Sequence, residues 1–236
     1  MSLLRKLLGI ETATLTTAQR ERLLAWQVLP ELDLDLALPM LRAVVVDVET
    51  SGLNLRRDRL IAIGAIGMRD SRLALADSFR AVLRQEIASN DANILIHGIG
   101  GTEQTQGEPP ADALLRFLEF CGKAPLIAYH SPFDESMLDR AMRRHLGIAF
   151  SRNWLDLAWL APALLPEQAR STRGLDAWLE SFNIGVSKRH DALADAIATA
   201  QLLQVLQHHG EAQGMHSAAA LREAAQSQEW LARRRV

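Results

Sequence analysis

The sequence predicts an α/β fold: a mixed sheet whose first three strands are antiparallel, with helices packed on its faces. Three observations carry this. Apolar runs at 43–49, 60–68 and 73–83 are spaced so that they can pair as a meander. Beyond Pro109 and Pro110, helical periodicities alternate with a further short strand. With 236 residues, 48% hydrophobic, 23% charged and 5% aromatic, the chain has the composition of an ordinary globular protein. At that length it can bury roughly 70% of the surface its unfolded form exposes, so a metal is not needed merely to fold it.

Taken in order, residues 1–40 form an extension of different texture. Leucine pairs at Leu3/Leu4, Leu7/Leu8 and Leu23/Leu24 read as short amphipathic helices, and Thr16-Thr17 offers a cap before Ala18–Trp26. The alternation of Leu32, Leu34 and Leu36 with aspartates reads as a brief strand or an extended strap. The central domain, 41–210, opens with Ala43–Glu49, a β-branched run that ends at Ser51-Gly52. Leu60–Met68 is a second strand and Leu73–Leu83 a third, joined to the second by a hairpin at Arg69-Asp70-Ser71. Pro109 and Pro110 begin a helix through Leu118, Pro125–Tyr129 is another strand, and helical patterns follow at Glu135–Leu146, Leu157–Leu165, Leu175–Phe182 and Asp191–Gln207. The tail, 211–236, reads as one more helix over Ser217–Val236, its closing arginines favourable against the C-terminal dipole.

Charge and cysteine content narrow the function. Lys plus Arg is 26 and Asp plus Glu is 28, a net charge of −2, which excludes the basic excess of a protein that wraps long duplex DNA. Handling a single nucleic-acid end remains open, because bound metal ions can supply positive charge locally. The one cysteine, Cys121, excludes an internal disulfide and a multi-cysteine zinc site. Glu11, Thr12 and Thr14 interrupt the apolar opening, and no apolar run approaches the roughly 20 residues that span a bilayer. A cytoplasmic protein without a membrane partner is the expectation.

Asp47 and Glu49 lie two apart on a predicted strand. Their side chains therefore share one face, with Cα atoms about 6.5–7 Å apart. Two carboxylates at the end of an apolar strand are costly unless something positive joins them. A third, Asp134, follows the strand that ends at His130 and stands at the start of the next helix. A fourth, Asp195, lies five residues after His190. On a regular helix that separation turns the two about 140° apart, so they converge only if His190 precedes the helix and Asp195 projects from its early turns. Taken singly, Asp134 reads as a helix cap and His190 as a surface loop residue.

Together, Asp47-Val-Glu49-Thr50-Ser51-Gly52, His130-Ser131-Pro132-Phe133-Asp134 and His190-Asp191-Ala192-Leu193-Ala194-Asp195 resemble the three motifs of the DnaQ-like 3′→5′ exonucleases, the branch with histidine in its third motif. Ile96-His97-Gly98-Ile99 resembles the segment such enzymes carry between the first two. The likeness covers about residues 41–207. It implies an RNase H-like sheet of about five strands and two divalent metals, Mg²⁺ or Mn²⁺. By that resemblance Asp47, Glu49, Asp134 and Asp195 hold the metals, and His190 deprotonates the attacking water. A donor set of carboxylates suits hard cations better than Zn²⁺. Thr50, Ser51, Gly52 and Leu53 would meet the terminal nucleotide. His97 has two readings, contact with the nucleotide or packing of its own loop; Leu53 has the same two. Phe133 reads as core before it reads as a base-stacking platform. Two departures stand out: Ser131-Pro132 replaces the usual asparagine after the second-motif histidine, and Ser51 replaces a threonine.

The implied activity is removal of nucleoside 5′-monophosphates from single-stranded DNA 3′ ends, in proofreading or repair, with a polymerase or other replication or repair protein as a partner. RNA 3′ trimming is the alternative within the same chemistry. A non-catalytic nucleic-acid or polymerase-binding module is the alternative of another class, disfavoured because a phosphate binder gains nothing from clustered carboxylates.

Overall fold

The computed structural model describes residues 14–234. The leucine pairs at Leu3/Leu4 and Leu7/Leu8 and the last two residues lie outside that range. Helix α1 (Thr17–Gln27) begins at a capping box: Thr16 Oγ1 accepts from the Gln19 amide, and Gln19 Oε1 accepts from the Thr16 amide. The segment 32–36 is the strap and not a strand; it turns, and only Ala37 bridges to another segment, at Ser217.

The sheet has five strands in the order β3-β2-β1-β4-β5. Strands β1 (Ala43–Thr50), β2 (Leu60–Arg69) and β3 (Arg72–Val82) are antiparallel, while β4 (Leu126–Ala128) and β5 (Trp154–Asp156) run parallel to β1. The β2–β3 hairpin closes through Asp70 and Ser71, both at positive φ (50° and 56°), the backbone a two-residue hairpin turn requires. A register shift separates Glu49 from Thr50, so β1 is irregular at the end that carries its two acids.

Two layers of helices cover the sheet. On one face, Val44, Val46 and Val48 of β1 join a core with α1, α4 (Pro110–Cys121) and α5 (Ser131–His145), centred on Phe117 and Phe150. Ahead of α4 the chain folds two short helices, α2 (Asp91–His97) and α3 (Gly101–Thr105). On the other face Ala43 and Val45 pack with α6 (Leu157–Leu164), α7 (Gly174–Ser181), α8 (Ala192–Ala212) and α9 (Ala218–Arg233). Both flanks share these cores: Leu23 and Trp26 enter the first, and Leu38, Leu221 and Ala225 the second. The strap and α9 are tied together, with the Leu38 amide donating to His216 O (2.9 Å) and the Ala219 amide to Leu34 O (3.0 Å).

Alternation along β1 decides which way its acids point. The even-numbered valines face α5, so Asp47 and Glu49 face the layer that contains α8. Opposite Asp47 on β2 stands Gly64, and a Cβ there would lie 2.2 Å from the backbone of Ala192 and Leu193. The missing side chain lets the first turn of α8 rest directly on the sheet.

Candidate active site

Each acidic residue is delivered by a different piece of this architecture. Asp47 and Glu49 come from the end of β1, half-buried. Asp195 comes from the first turn of α8 and is 5% exposed. One oxygen from each of Asp47, Glu49 and Asp195 lies within 4.8 Å of the others. Asp134, also 5% exposed, sits in the first turn of α5 beside Asp47 but is not part of that tight group.

The electrostatics are those of negative charges forced together. Burial pushes the Asp47 carboxyl well above the ordinary carboxylate range, with Asp134, Glu49 and Asp195 adding to the effect and Arg189 opposing it. Glu49 is pushed up to about 8, first by burial and then by Asp195 and Asp191. Asp134 is raised by burial and by Asp156, against the pull of backbone amides. Asp195 is raised by burial and held down by Arg189. Closely spaced oxygens that retain protons are a site short of positive charge, and the all-oxygen donor set fits a hard divalent cation.

One cation of the protein already leans in. Arg189 bonds Asp195 Oδ1 through Nη1 and Asp176 Oδ1 through Nη2, the latter at 2.8 Å. The other Asp195 oxygen accepts from the His190 backbone amide at 2.9 Å. His190 has φ 58° and an exposed side chain. It precedes α8, whose cap is Asp191 and whose first turn carries Asp195, and the two meet through the His190 backbone amide.

The second motif has a similar turn. His130, at φ 65°, leads into α5, and its amide donates to Asp156 Oδ1 at 2.9 Å. The same oxygen accepts from Ala158 at the start of α6. Asp156 was not singled out by sequence reasoning. Its one legible signal was its place just before the helical run from Leu157, where aspartate is a preferred cap; a strand of three residues is too short to show period two. Arg189 was likewise passed over, being one residue ahead of the recognised motif.

Around the cluster, the Thr50 hydroxyl donates to Gly52 O at 2.7 Å, and Ser51 Oγ donates to Asp58 Oδ1 at 3.0 Å while accepting from the Arg59 amide. Gly52 has φ 154°, a backbone conformation that other residues rarely adopt, and a Cβ there would crowd the Asp58 carboxylate at 2.5 Å. Leu53 stands at the lip, 85% exposed. Phe133 packs against the core of the α5 face, as its core reading has it. His97 is 1% exposed. Its Nδ1 accepts from the Ile99 amide (2.9 Å) and its Nε2 meets Asn93 Oδ1 (2.9 Å), so the proton lies on Nε2 and burial holds the ring's pKa down. Of its two readings, loop packing is the arrangement seen: both ring nitrogens are bonded within its own segment.

The exonuclease family model, RNase_T, matches residues 44–203. The chain belongs to this exonuclease family. Fold and motifs are those of the DnaQ-like 3′→5′ exonucleases, a divalent-metal-dependent group. Among similar proteins, the exonuclease chain is 28% identical over 159 residues to the DNA polymerase III PolC-type of Thermotoga petrophila, covering 67% of this chain and 11% of that protein. It is 30% identical over 165 residues to the PolC-type of Lacticaseibacillus paracasei, covering 70% and 11%. The exonuclease chain thus spans about a tenth of the length of these relatives. Similar solved structures include E. coli exonuclease I in complex with a dT13 oligonucleotide (TM-score 0.60, 20% identity, 73% of this chain and 42% of that one). Exonuclease X in complex with 5′ overhanging duplex DNA matches with TM-score 0.60 and 17% identity, covering 78% of this chain and 99% of that one. At such identities the likeness establishes the fold. No helix among the described residues is long and apolar enough to cross a membrane.

Proposed function

We propose that this exonuclease removes nucleoside 5′-monophosphates from the 3′ end of single-stranded DNA by metal-assisted hydrolysis. The observation that carries this reading is the meeting of Asp47, Glu49 and Asp195 oxygens within 4.8 Å, next to an exposed histidine on the loop leading into α8. Those three carboxylates, with Asp134 beside them, are the residues to hold two Mg²⁺ or Mn²⁺ ions. When bound, such ions supply an activated water and stabilise the leaving 3′ oxygen.

The remaining work falls to the chain's own groups. His190, on its strained turn, is the group placed to accept the water proton. Arg189, which is paired with Asp195, would share that carboxylate with a bound cation. Gly52 gives the terminal nucleotide close access to the backbone, Thr50 and Ser51 shape that loop, and Leu53 at the lip packs on the last base. Phe133 anchors the first turn of α5 on the core. The PolC-type relatives support a setting in proofreading or repair, with a polymerase as partner, and hence a cytoplasmic one.

A 5′-labelled, single-stranded DNA oligonucleotide with Mg²⁺ tests this. A ladder shortened from the 3′ end is expected; Asp47→Ala should abolish it, and His190→Ala should slow it by about 100-fold or more while metal affinity is retained. Faster shortening of a matched RNA would move the substrate to RNA. Absence of any ladder, with oligonucleotide binding undiminished in Asp47→Ala, would leave a binding module.

A further inference from the structure

Beside the 51–59 loop lies a cleft of about 370 Å³ between the ends of β2 and β3 and the outer half of α5. Four arginines line it: Arg59, Arg84, Arg140 and Arg144. Among the described residues none of them has a carboxylate within ion-pair distance, whereas Arg22, Arg42, Arg116 and Arg152 elsewhere in the chain do. Arg59 and Arg140 are bound instead to backbone carbonyls. Arg59 reaches Ile87 O, and Arg140 reaches Leu55 O and Asp58 O, which pins the loop that borders the cluster. The Arg59 Nε is buried without a partner. Arg84 gives one bond, to Gly107 O, and Arg144 is exposed with no bonded partner among the described residues.

The acids of the cleft do not cancel this charge. Asp58 is committed to Ser51 and to the Asn54 amide, which leaves Glu86. Nearby Asp139 and Glu108 are already held by Arg143 and Arg116. The floor is apolar, formed by Leu60, Leu83 and Met137. In a chain of net charge −2, four arginines facing one cleft are charge set aside for an anion.

We infer that this cleft carries the strand behind the 3′ end: the arginines take backbone phosphates, and the apolar floor with the guanidinium planes receives the faces of bases. The inference rests on the exonuclease reading for its substrate and adds where that substrate runs. The acidic cluster repels phosphates that lie beyond its own metals. The uncompensated arginines begin at Arg59, at the far end of the loop that leaves β1 just after Glu49 and that Ser51 and Asp58 cross-link. A strand leaving the site over this loop passes from the one to the other.

Anisotropy of 5′-fluorescein-labelled dT4 and dT16 with the full chain in EDTA, titrated with NaCl, tests this without turnover. The unaltered protein should bind dT16 more tightly than dT4. In an Arg84→Ala/Arg144→Ala variant the dT16 advantage should fall by about tenfold. Its slope of log affinity against log salt should lessen by about 1.4, or roughly 0.7 for each phosphate no longer held. Arg84→Lys/Arg144→Lys should restore most of both. An unchanged dT16 affinity and slope in the alanine variant, or equal affinity of the unaltered protein for dT4 and dT16, would overturn the inference. Neither result touches hydrolysis, which is read separately from the Mg²⁺ ladder: no ladder with the length advantage intact would sink the exonuclease reading and leave the cleft standing.

Discussion

At Glu49 the metal-free protein holds a proton that the unfolded chain does not. Its carboxyl is pushed up to about 8 from an ordinary 4.5, so between those values the folded state binds more protons than the unfolded one. Stability must then fall as pH rises through that window. Without metal, the melting temperature should drop between about pH 5 and pH 8. Glu49→Gln should flatten the curve, and saturating Mg²⁺ should remove most of the drop, since a ligand at 100 times its Kd adds about 2.7 kcal/mol to the folded state. A metal-free curve that is level across this range would show that the carboxylates are not crowded. Arg189 supplies a second check. Because it occupies Asp195, Arg189→Gln should lower the melting temperature of the metal-free protein yet bring Mn²⁺ half-saturation down about fivefold, the worth of a partly exposed ion pair of about 1 kcal/mol. Weaker Mn²⁺ binding in that variant would make the arginine a support of the site and not a competitor.

The placing of these groups belongs to elements. Strand β1 presents Asp47 and Glu49 by alternation, which the sequence showed; helix α8 presents Asp195, and its distance from β1 is set across Gly64. Gly64→Ala should cost about 1–3 kcal/mol by forcing α8 off the sheet. Its effect on Mn²⁺ affinity should be out of proportion to that, because Asp195 moves and Asp47 does not. Normal metal binding with a lowered melting temperature would mean that the helix accommodates the methyl by sliding. This close approach was not legible in the sequence: a glycine in an apolar run says only that some backbone comes close. The elements that carry the motifs were legible because strand period and helix start are local rules. The motif residues were picked out as a set by their resemblance to a family, since singly Asp134 reads as a cap and His190 as a loop residue. Strand β5 was not legible: β4 is equally short but stands apart as an apolar run after Pro125, whereas Trp154–Asp156 runs straight into the helical pattern from Leu157; helices α2 and α3 are too short to show a period. His97 had two readings in the sequence, nucleotide contact or loop packing, and only its hydrogen bonds tell that the ring faces inward.

For the whole molecule, the flanks are structural members of both helical layers. Helix α9 buries Ala218, Leu221 and Ala225 (6%, 1% and 2% exposed) against α6 and β5, and it lies beyond the residues matched by the family model. Removal of residues 214–236 should therefore lower the melting temperature by about 10 °C, at a few degrees per kcal/mol for a chain of this size, and should raise binding of a hydrophobic dye. A truncated protein that melts like the full chain would assign α9 another purpose. The strap that meets α9 at Leu34 and Leu38 comes from the opposite end of the sequence. Pairings so far apart along the chain form late, because a long loop must close first. A ribosome-bound chain thus completes its second core only after residue 225 has emerged, and until then helix α6 and strand β5 lack the cover that α9 gives them.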